Sequence, residues 1–275
     1  MKRINNILSA VMIGFLALSC VKENPVVSEE MVTVDYGIDV AATKAFGEGR
    51  EVNYIWYALY RTDGTYFCTF TPAEIVDGVA HCPVSFIKDQ EFKVVFVGMH
   101  HEEDTDGTME PVYEMDAQNA VMKMPVSSVA NSEKLDCFIG SDDIVNNKST
   151  KSSIKLRRLG AQVNFICKEE DWPAEADKQP DQVSLEMTGV SAGYDIFREE
   201  YVNGTVTVSY DSAALPSGAD AKLGSDYRLC TVYCLAGDDP EAELKLFKGA
   251  ELHKTVSAVK IPLAGNMKTN VYINY

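Results

Sequence analysis

Apolar and polar residues alternate through most of the chain after residue 30, which is the pattern of strands with one buried face. The stretch from Val94 to Val97 is apolar throughout and predicts a central strand buried on both faces. Asn203-Gly204 predicts a hairpin turn between residues 197–201 and 205–210. Further strands are predicted at residues 31–36, 52–60, 66–70, 79–86, 92–99, 154–159, 161–167, 182–190, 226–235, 242–247, 256–262 and 269–275.

These strand-length segments are separated by short turns that contain Gly, Pro and Asp-Gly, and no long amphipathic helix interrupts them. The arrangement predicts an all-β fold built from β-sandwiches. Residues 145–153 are polar and have the composition of a linker. They divide the chain into two tandem β-sandwich domains, an N-terminal one at residues 31–150 and a C-terminal one at residues 151–275.

The N-terminus has the features of a targeting segment. Lys2 and Arg3 precede an apolar stretch at residues 7–18, which is shorter than the ~20 residues of a spanning helix, so residues 1–20 are interpreted as a signal peptide. Leu16-Ala17-Leu18-Ser19-Cys20 resembles a bacterial lipobox, which makes Cys20 the candidate lipidation site and residues 21–30 a polar tether. The protein is then expected at the outer membrane or cell surface, held by an acyl anchor. An ordinary secretory signal with an incidental cysteine is the alternative.

Charge and motifs exclude several classes of function. The 275 residues include 25 Lys and Arg against 41 Asp and Glu, a formal net charge of −16. Such a chain repels phosphate backbones, so nucleic acid is not expected as a partner. Only four histidines are present, and neither a Gly-x-Ser-x-Gly nor a His-Glu-x-x-His motif occurs. No catalytic residue, metal or cofactor is therefore predicted, and the protein is not expected to be an enzyme.

The stretch from His100 to Gly107 is the most ligand-like part of the sequence. Its acids at Glu102, Asp104 and Asp106 resemble part of a calcium loop, but Tyr113 stands where the closing acid would be required. A solvated hairpin loop that follows a buried strand is the favoured interpretation.

Six cysteines remain when Cys20 is set aside, and an oxidising envelope would permit disulfides. Cys68 and Cys82 flank a predicted hairpin and could face each other. The favoured alternative is that all six are small buried residues on strands. The six are Cys68, Cys82, Cys137, Cys167, Cys230 and Cys234.

Several segments, in their order along the chain, resemble the fimbrillin-like lipoproteins, which are subunits and accessory proteins of type V pili in Gram-negative anaerobes. Lys44 and Gly160 depart from the family pattern, where Arg and Ala are usual. The segments are the lipobox at Cys20, Ala42-Thr43-Lys44-Ala45, residues 51–60 with Asp63-Gly64, Asp136-Cys137-Phe138-Ile139-Gly140, residues 156–165, and Ile261-Pro262-Leu263 with residues 266–272.

The resemblance implies two transthyretin-like Greek-key sandwiches and assembly by strand exchange, with other pilus subunits or copies of the chain as partners. In such assembly an Arg-specific protease removes the first strand, and a neighbour's terminal strand fills the groove. Arg50 is the candidate processing site, although an ordinary loop arginine and a permanent first strand remain the alternative. The candidate donor strand is the last one, because a chain terminus can leave its sheet at the least topological cost; its alternate positions are Thr269, Val271, Ile273 and Tyr275.

A different class of function is a monomeric surface lipoprotein that binds host or bacterial glycans or proteins. A glycan binder is expected to expose aromatic platforms. Trp56 lies in a core-like strand, which leaves Trp172 as the candidate. An envelope hydrolase ranks third, because the sequence has no nucleophile motif.

Overall fold

Short strands form almost all of the regular structure, which confirms the all-β class predicted from the alternating pattern. The computed structural model describes residues 30–39, 52–103, 107–151, 153–237, 240–258 and 260–275. Within these ranges no helix has the length and apolar character needed to cross a bilayer. The helical elements described are single 3₁₀ turns at Glu169–Asp171 and Gly218–Ala221.

The strands up to the predicted linker are mostly short. They are β1 (Met31–Asp39), β2 (Tyr54–Arg61), β3 (Tyr66–Thr69), β4 (Ala73–Glu74), β5 (Val79–Ile87), β6 (Phe92–Met99), β7 (His101–Glu103), β8 (Met109–Pro111), β9 (Glu114–Asp116), β10 (Val121–Lys123), β11 (Ser127–Val129), β12 (Phe138–Val145) and β13 (Lys148–Ser149). The remaining strands are β14 (Arg157–Arg158), β15 (Ala161–Cys167), β16 (Gln182–Ser191), β17 (Gly193–Asp195), β18 (Glu200–Tyr201), β19 (Thr205–Ala214), β20 (Lys222–Leu223), β21 (Asp226–Cys234), β22 (Glu241–Lys248), β23 (Glu251–Ala258) and β24 (Lys268–Ile273).

The central sheet has the strand order β13-β12-β6-β2-β3, with β14 beside β12 and β4 beside β2. Strand β6 lies between β2 and β12, and Val94 to Val97 are fully buried, as predicted for a strand covered on both faces. Alternate side chains of β6 belong to two different cores, because successive residues of a strand point to opposite faces.

The first core lies between one face of the central sheet and a two-stranded ribbon of β1 and β5. We call it the ribbon core. Its fully buried members include Ile38, Cys82, Val84 and Phe86 of the ribbon and Ile55, Leu59, Val94 and Phe96 of the central sheet.

The second core, the large core, lies between the opposite face of the central sheet and the C-terminal sheets. One of these has the order β11-β19-β16-β22-β23 and another the order β20-β21-β15-β24. Strand β15 is buried along its entire length, because β21 and β24 flank it and other elements cover its faces. The large core includes Trp56, Tyr60, Val95, Val163, Phe165, Leu185, Val232 and Leu244.

Strands from both sides of residue 150 share sheets. Strand β10 pairs with β17, and β11 pairs in parallel with β19. The segment predicted as a linker contains the turn and the second strand of the β12–β13 hairpin, and Asn146 and Asn147 of that turn adopt positive φ. Ile154 and Leu156 pack in the ribbon core. The division into two domains near residue 150 stays a prediction.

Two local predictions are wrong. The Asn203-Gly204 turn does not join a hairpin, because β18 pairs with β17 whereas β19 joins β16 in another sheet. The strand predicted at residues 256–262 is instead β23 at Glu251–Ala258, after a turn at Gly249 with φ +58°. Polar residues fill the start of β23 because it is a sheet edge, where alternation of apolar residues is not required.

Candidate functional site

The candidate site residues fall into two groups. Cys20 and Arg50 lie outside the described residues, so the predicted lipidation and processing sites have no structural counterpart here. The first strand and the candidate donor residues of the last strand are described, and they lie in different sheets.

Strand β1 fills one side of the ribbon core. It pairs antiparallel with β5 in unbroken register from Met31 opposite Ile87 to Asp39 opposite Val79. Tyr36 and Ile38 are buried in the core, and Val32 and Val34 pack against it. Among the described residues, the pairing on the other edge of β1 is a single bridge from Ile38 to Ile154. The strand is therefore held by one neighbour and by its inward side chains.

A buried hydrogen-bond cluster fixes β1 to the central sheet. The Tyr36 hydroxyl donates to Asp142 Oδ2 at 3.0 Å, and the same carboxylate accepts from Ser149 Oγ at 2.5 Å and Thr150 Oγ1 at 2.6 Å. Burial raises the pKa of Tyr36, so its hydroxyl stays protonated and able to donate. The contact between Tyr36 and Asp142 could not be predicted from the sequence, because the two residues are 106 positions apart.

Strand β24 completes the edge of its own sheet. It runs parallel to β15 and pairs with it from Lys268 opposite Gln162 to Ile273 opposite Cys167. Thr269 and Ile273 are buried, and Val271 packs against the large core. The predicted alternate positions thus share the inward face of this strand.

Polar contacts tie β24 and the chain end to their surroundings. Thr269 Oγ1 donates to the Pro262 carbonyl at 2.7 Å, and Asn164 Nδ2 donates to Asn270 Oδ1 at 2.8 Å. The Tyr275 hydroxyl donates to the Lys178 carbonyl at 3.1 Å. In this state the strand is bound within its own sheet.

Trp172 does not form an open platform. Its ring stacks on Tyr227 with a centroid distance of 4.4 Å and lies 5.9 Å from the ring of Tyr275. It is half-buried and packs against the large core, so the cluster fastens the chain end.

The segment at residues 156–165, which resembles the family pattern, contributes Arg158 to a buried ion pair with Asp136. Arg158 Nε and Nη2 each donate to one oxygen of Asp136, both at 2.7 Å, and both side chains are almost completely buried. Burial raises the pKa of Asp136 to about 6, against the opposing effect of the Arg158 hydrogen bonds, so the carboxylate is ionised at neutral pH. Neighbouring Arg157 donates to Glu199 Oε2 at 2.9 Å.

The six cysteines beyond Cys20 are free thiols. Cys68 is half-buried and the other five are buried. The possible Cys68–Cys82 bridge is not formed, since both thiols are free. Burial raises the pKa of the Cys82, Cys137 and Cys234 thiols to about 12, which makes them poor nucleophiles.

The stretch after His100 forms the β7–β8 hairpin, with Glu102 opposite Glu110, as the hairpin interpretation predicted. Asp104 and Asp106 lie outside the described residues. His101, which belongs to the stretch interpreted as the most ligand-like, lies at the base of this hairpin, is buried and stacks on Tyr54.

Over residues 26–274 the chain matches the family described as "Family of unknown function (DUF6562)". No curated protein matches it. Its fold resembles a fimbrial assembly protein from Parabacteroides distasonis, with 13% identity, 89% of this chain and 90% of that chain covered, and a TM-score of 0.42. It also resembles the fimbrial anchor protein Mfa2 from Porphyromonas gingivalis, with 12% identity, coverage of 82% and 80%, and a TM-score of 0.41. Overlaps this low leave function to be argued from the chain's own residues.

Proposed function

This chain belongs to DUF6562, a family of unknown function, and we propose that it is a fimbrillin-like surface protein that joins its neighbours by strand exchange. In this proposal it has a structural or adhesive role in a type V pilus and no enzymatic activity. An acyl chain on Cys20 anchors it to the outer membrane, and its partners are other subunits or copies of itself.

The observation that carries the proposal is the position of β1. It is the first described strand, it has one extended pairing partner, and residues 40–51, which include Arg50, follow it directly. A cut at Arg50 would leave every other described strand on one side of the break. Its removal would open a groove lined by the edge of β5 with which it pairs and by the ribbon core.

Loss of β1 would leave that groove unstable. Burial of a large apolar side chain contributes roughly 1.5–3 kcal/mol. Loss of the buried Tyr36 and Ile38 side chains therefore costs about 3–6 kcal/mol. The edge of β5 would also expose a row of unpaired N–H and C=O groups, which is a template for an incoming strand. A partner strand with the same alternation would restore both.

Strand β24 has the alternation that this groove accepts. Its inward residues Thr269, Val271 and Ile273 follow the same spacing as Val34, Tyr36 and Ile38. Donation requires release from β15 and from the Trp172–Tyr275 contact, so a donor subunit must first give up its own edge pairing.

The test is cleavage of the protein lacking its signal peptide by an Arg-specific protease, followed by addition of a labelled peptide of residues 267–275. We expect a cut at Arg50, release of the β1 fragment and capture of the peptide, because the peptide covers the ribbon core. An Arg50→Ala protein serves as the uncut control, and a peptide with Ile273→Asp serves as the binding control. A cut protein that releases β1 yet stays monomeric and takes up no peptide would contradict strand exchange.

The anchor is tested separately by Cys20→Ala. We expect the variant to leave the membrane fraction or to keep its signal peptide, since a single thiol carries the proposed acyl chain. Cys68→Ala is the matched control and should remain membrane-bound. Processed Cys20→Ala protein in the membrane fraction would rule out the anchor.

A further inference from the structure

The sheet β20-β21-β15-β24 has an outward face, opposite to the one that packs in the large core. Along its edge strand β24 this face presents Lys268, Asn270 and Tyr272, which are all exposed, whereas the residues between them point inward. Among the described aromatic residues, only Tyr272 is exposed, at 52%. It is therefore the open aromatic platform that Trp172 does not provide.

Arg228 lies on the same face, on the far side of β15 from Tyr272. Both residues pair in register with Ile166, which is completely buried. Neighbouring strands are about 4.8 Å apart, so the backbones of Arg228 and Tyr272 are about 10 Å apart. A guanidinium and an aromatic ring thus stand at the two sides of one small surface.

The guanidinium of Arg228 has no hydrogen-bond acceptor among the described residues. Its ion-pair partner is Asp220, but the distance from Nη1 to Oδ1 is 3.7 Å, which is too long for a hydrogen bond. Nε is closed off from solvent, whereas the side chain as a whole is 16% exposed, so Nη1 and Nη2 are the nitrogens that a ligand can reach. Parallel N–H groups of an arginine are suited to bind a carboxylate.

Lys268 places a second cation on this face. Within the described part of the chain its amine takes part in no ion pair, although the sequence has 41 acidic residues against 25 Lys and Arg. Partial burial, and after it the charge of Arg228, lower the pKa of Lys268, so each cation lies in the field of the other. An anion bound between them relieves this repulsion.

Asn270 lies between Lys268 and Tyr272 and has a fixed amide orientation. Asn164 Nδ2 donates to Asn270 Oδ1 at 2.8 Å, and Asn164 is itself held by Thr231, whose Oγ1 donates to Asn164 Oδ1 at 2.8 Å. Because Asn270 Oδ1 faces the sheet, its Nδ2 group is left to donate outward. An oriented amide beside an aromatic ring can bind a sugar hydroxyl.

We propose that the surface formed by Arg228, Lys268, Asn270 and Tyr272 binds a sugar that carries a carboxylate. The carboxylate accepts from Arg228 and Lys268, and Asn270 donates to a hydroxyl of the sugar ring. The C–H face of the ring packs on Tyr272.

The groups on this surface select against other ligands. A neutral sugar leaves both cations without a counter-charge, and a cation is repelled by them. A simple anion such as acetate meets the cations but makes no use of Tyr272 and Asn270. The net charge of −16 repels a polyanion, so the surface favours a ligand with a single carboxylate.

The test titrates the uncut protein, in which β24 lies in its own sheet, so the outcome does not depend on strand exchange. The probes are glucuronic acid, galacturonic acid and N-acetylneuraminic acid. Glucose and acetate are the controls, since glucose has a CH₂OH group where glucuronic acid has its carboxylate. We expect saturation transfer in NMR to at least one acidic sugar, with an affinity by calorimetry about tenfold above that of either control. Added salt should weaken the binding.

Variants separate binding from folding. Arg228→Gln and Lys268→Gln should each lower the affinity for the acidic sugar about tenfold, and Tyr272→Ala should lower it about threefold. Lys268 and Tyr272 are exposed, so their variants should melt at the temperature of the parent. Lys245→Gln, the same change on the exposed face of the five-stranded sheet, should bind like the parent.

Three results would overturn the proposal. One is that none of the three acidic sugars binds the parent. Another is that glucose or acetate binds as tightly as the acidic sugars. The third is that folded Lys268→Gln and Tyr272→Ala proteins bind the acidic sugar as well as the parent does.

Discussion

Asp136→Asn is expected to destabilise the protein by about 3–5 kcal/mol, because it removes the carboxylate that pairs with the buried Arg158 guanidinium. The carboxylate is 0% and the guanidinium side chain 1% exposed, so water cannot replace the lost interaction. The guanidinium also lies 5.1 Å from the ring centroid of Phe138, which keeps it in place over an apolar surface. Urea unfolding of the purified protein measures the change in free energy.

A double variant distinguishes the isolated charge from lost packing. Asp136→Leu combined with Arg158→Met removes both charges and keeps apolar volume, so it should recover most of the stability lost in Asp136→Asn. Asp195→Asn is the matched control, since Asp195 pairs with an Arg198 side chain that is 70% exposed. A loss below about 1 kcal/mol in Asp136→Asn would contradict the assigned role of the pair.

Ile38→Asp is expected to detach β1 from the ribbon core. A carboxylate cannot be buried at a position with 0% exposure and apolar neighbours, so the strand leaves instead of carrying the charge inside. The variant should then lose only the free energy that holds β1 in place. That is about 3–6 kcal/mol, from the burial of Tyr36 and Ile38. Hydrogen exchange of residues 79–87 should increase, because β5 loses its partner.

Thr33→Asp is the matched control for this substitution. Thr33 lies on the exposed face of the same strand, so the same carboxylate there should leave β5 protected. Uncut Ile38→Asp protein should also capture the peptide of residues 267–275, which tests the groove without any protease. Unchanged exchange in β5 and unchanged stability would mean that β1 is not held by its inward residues.

The sequence predicted the two strands on which the proposed function depends. Both β1 and β24 show the alternation of inward apolar residues, and the structure places Ile38 and Ile273 inward as that spacing requires. The apolar run in β6 likewise predicted a strand covered on both faces. Such features are local, because alternation is fixed by the geometry of each strand.

Which strands pair with each other in a sheet could not be predicted in the same way. The Asn203-Gly204 turn has the composition of a hairpin, yet the strands on either side of it join different sheets. Gly193 allows β10 and β17 to approach closely, since a Cβ there would lie 2.6 Å from the Met122 carbonyl oxygen. That contact joins segments about seventy residues apart, and no local pattern records it.

The sequence by itself determined the all-β class and the alternation along the first and last strands, and it predicts lipidation at Cys20 and processing at Arg50. Only the tertiary structure decided that Tyr36 meets Asp142, that Arg158 meets Asp136, and that His101 is buried against the ring of Tyr54. The physical reason is that alternation depends on neighbours along the chain. A buried polar contact depends on which distant strands exclude water from it, and that is settled when the sheets pack.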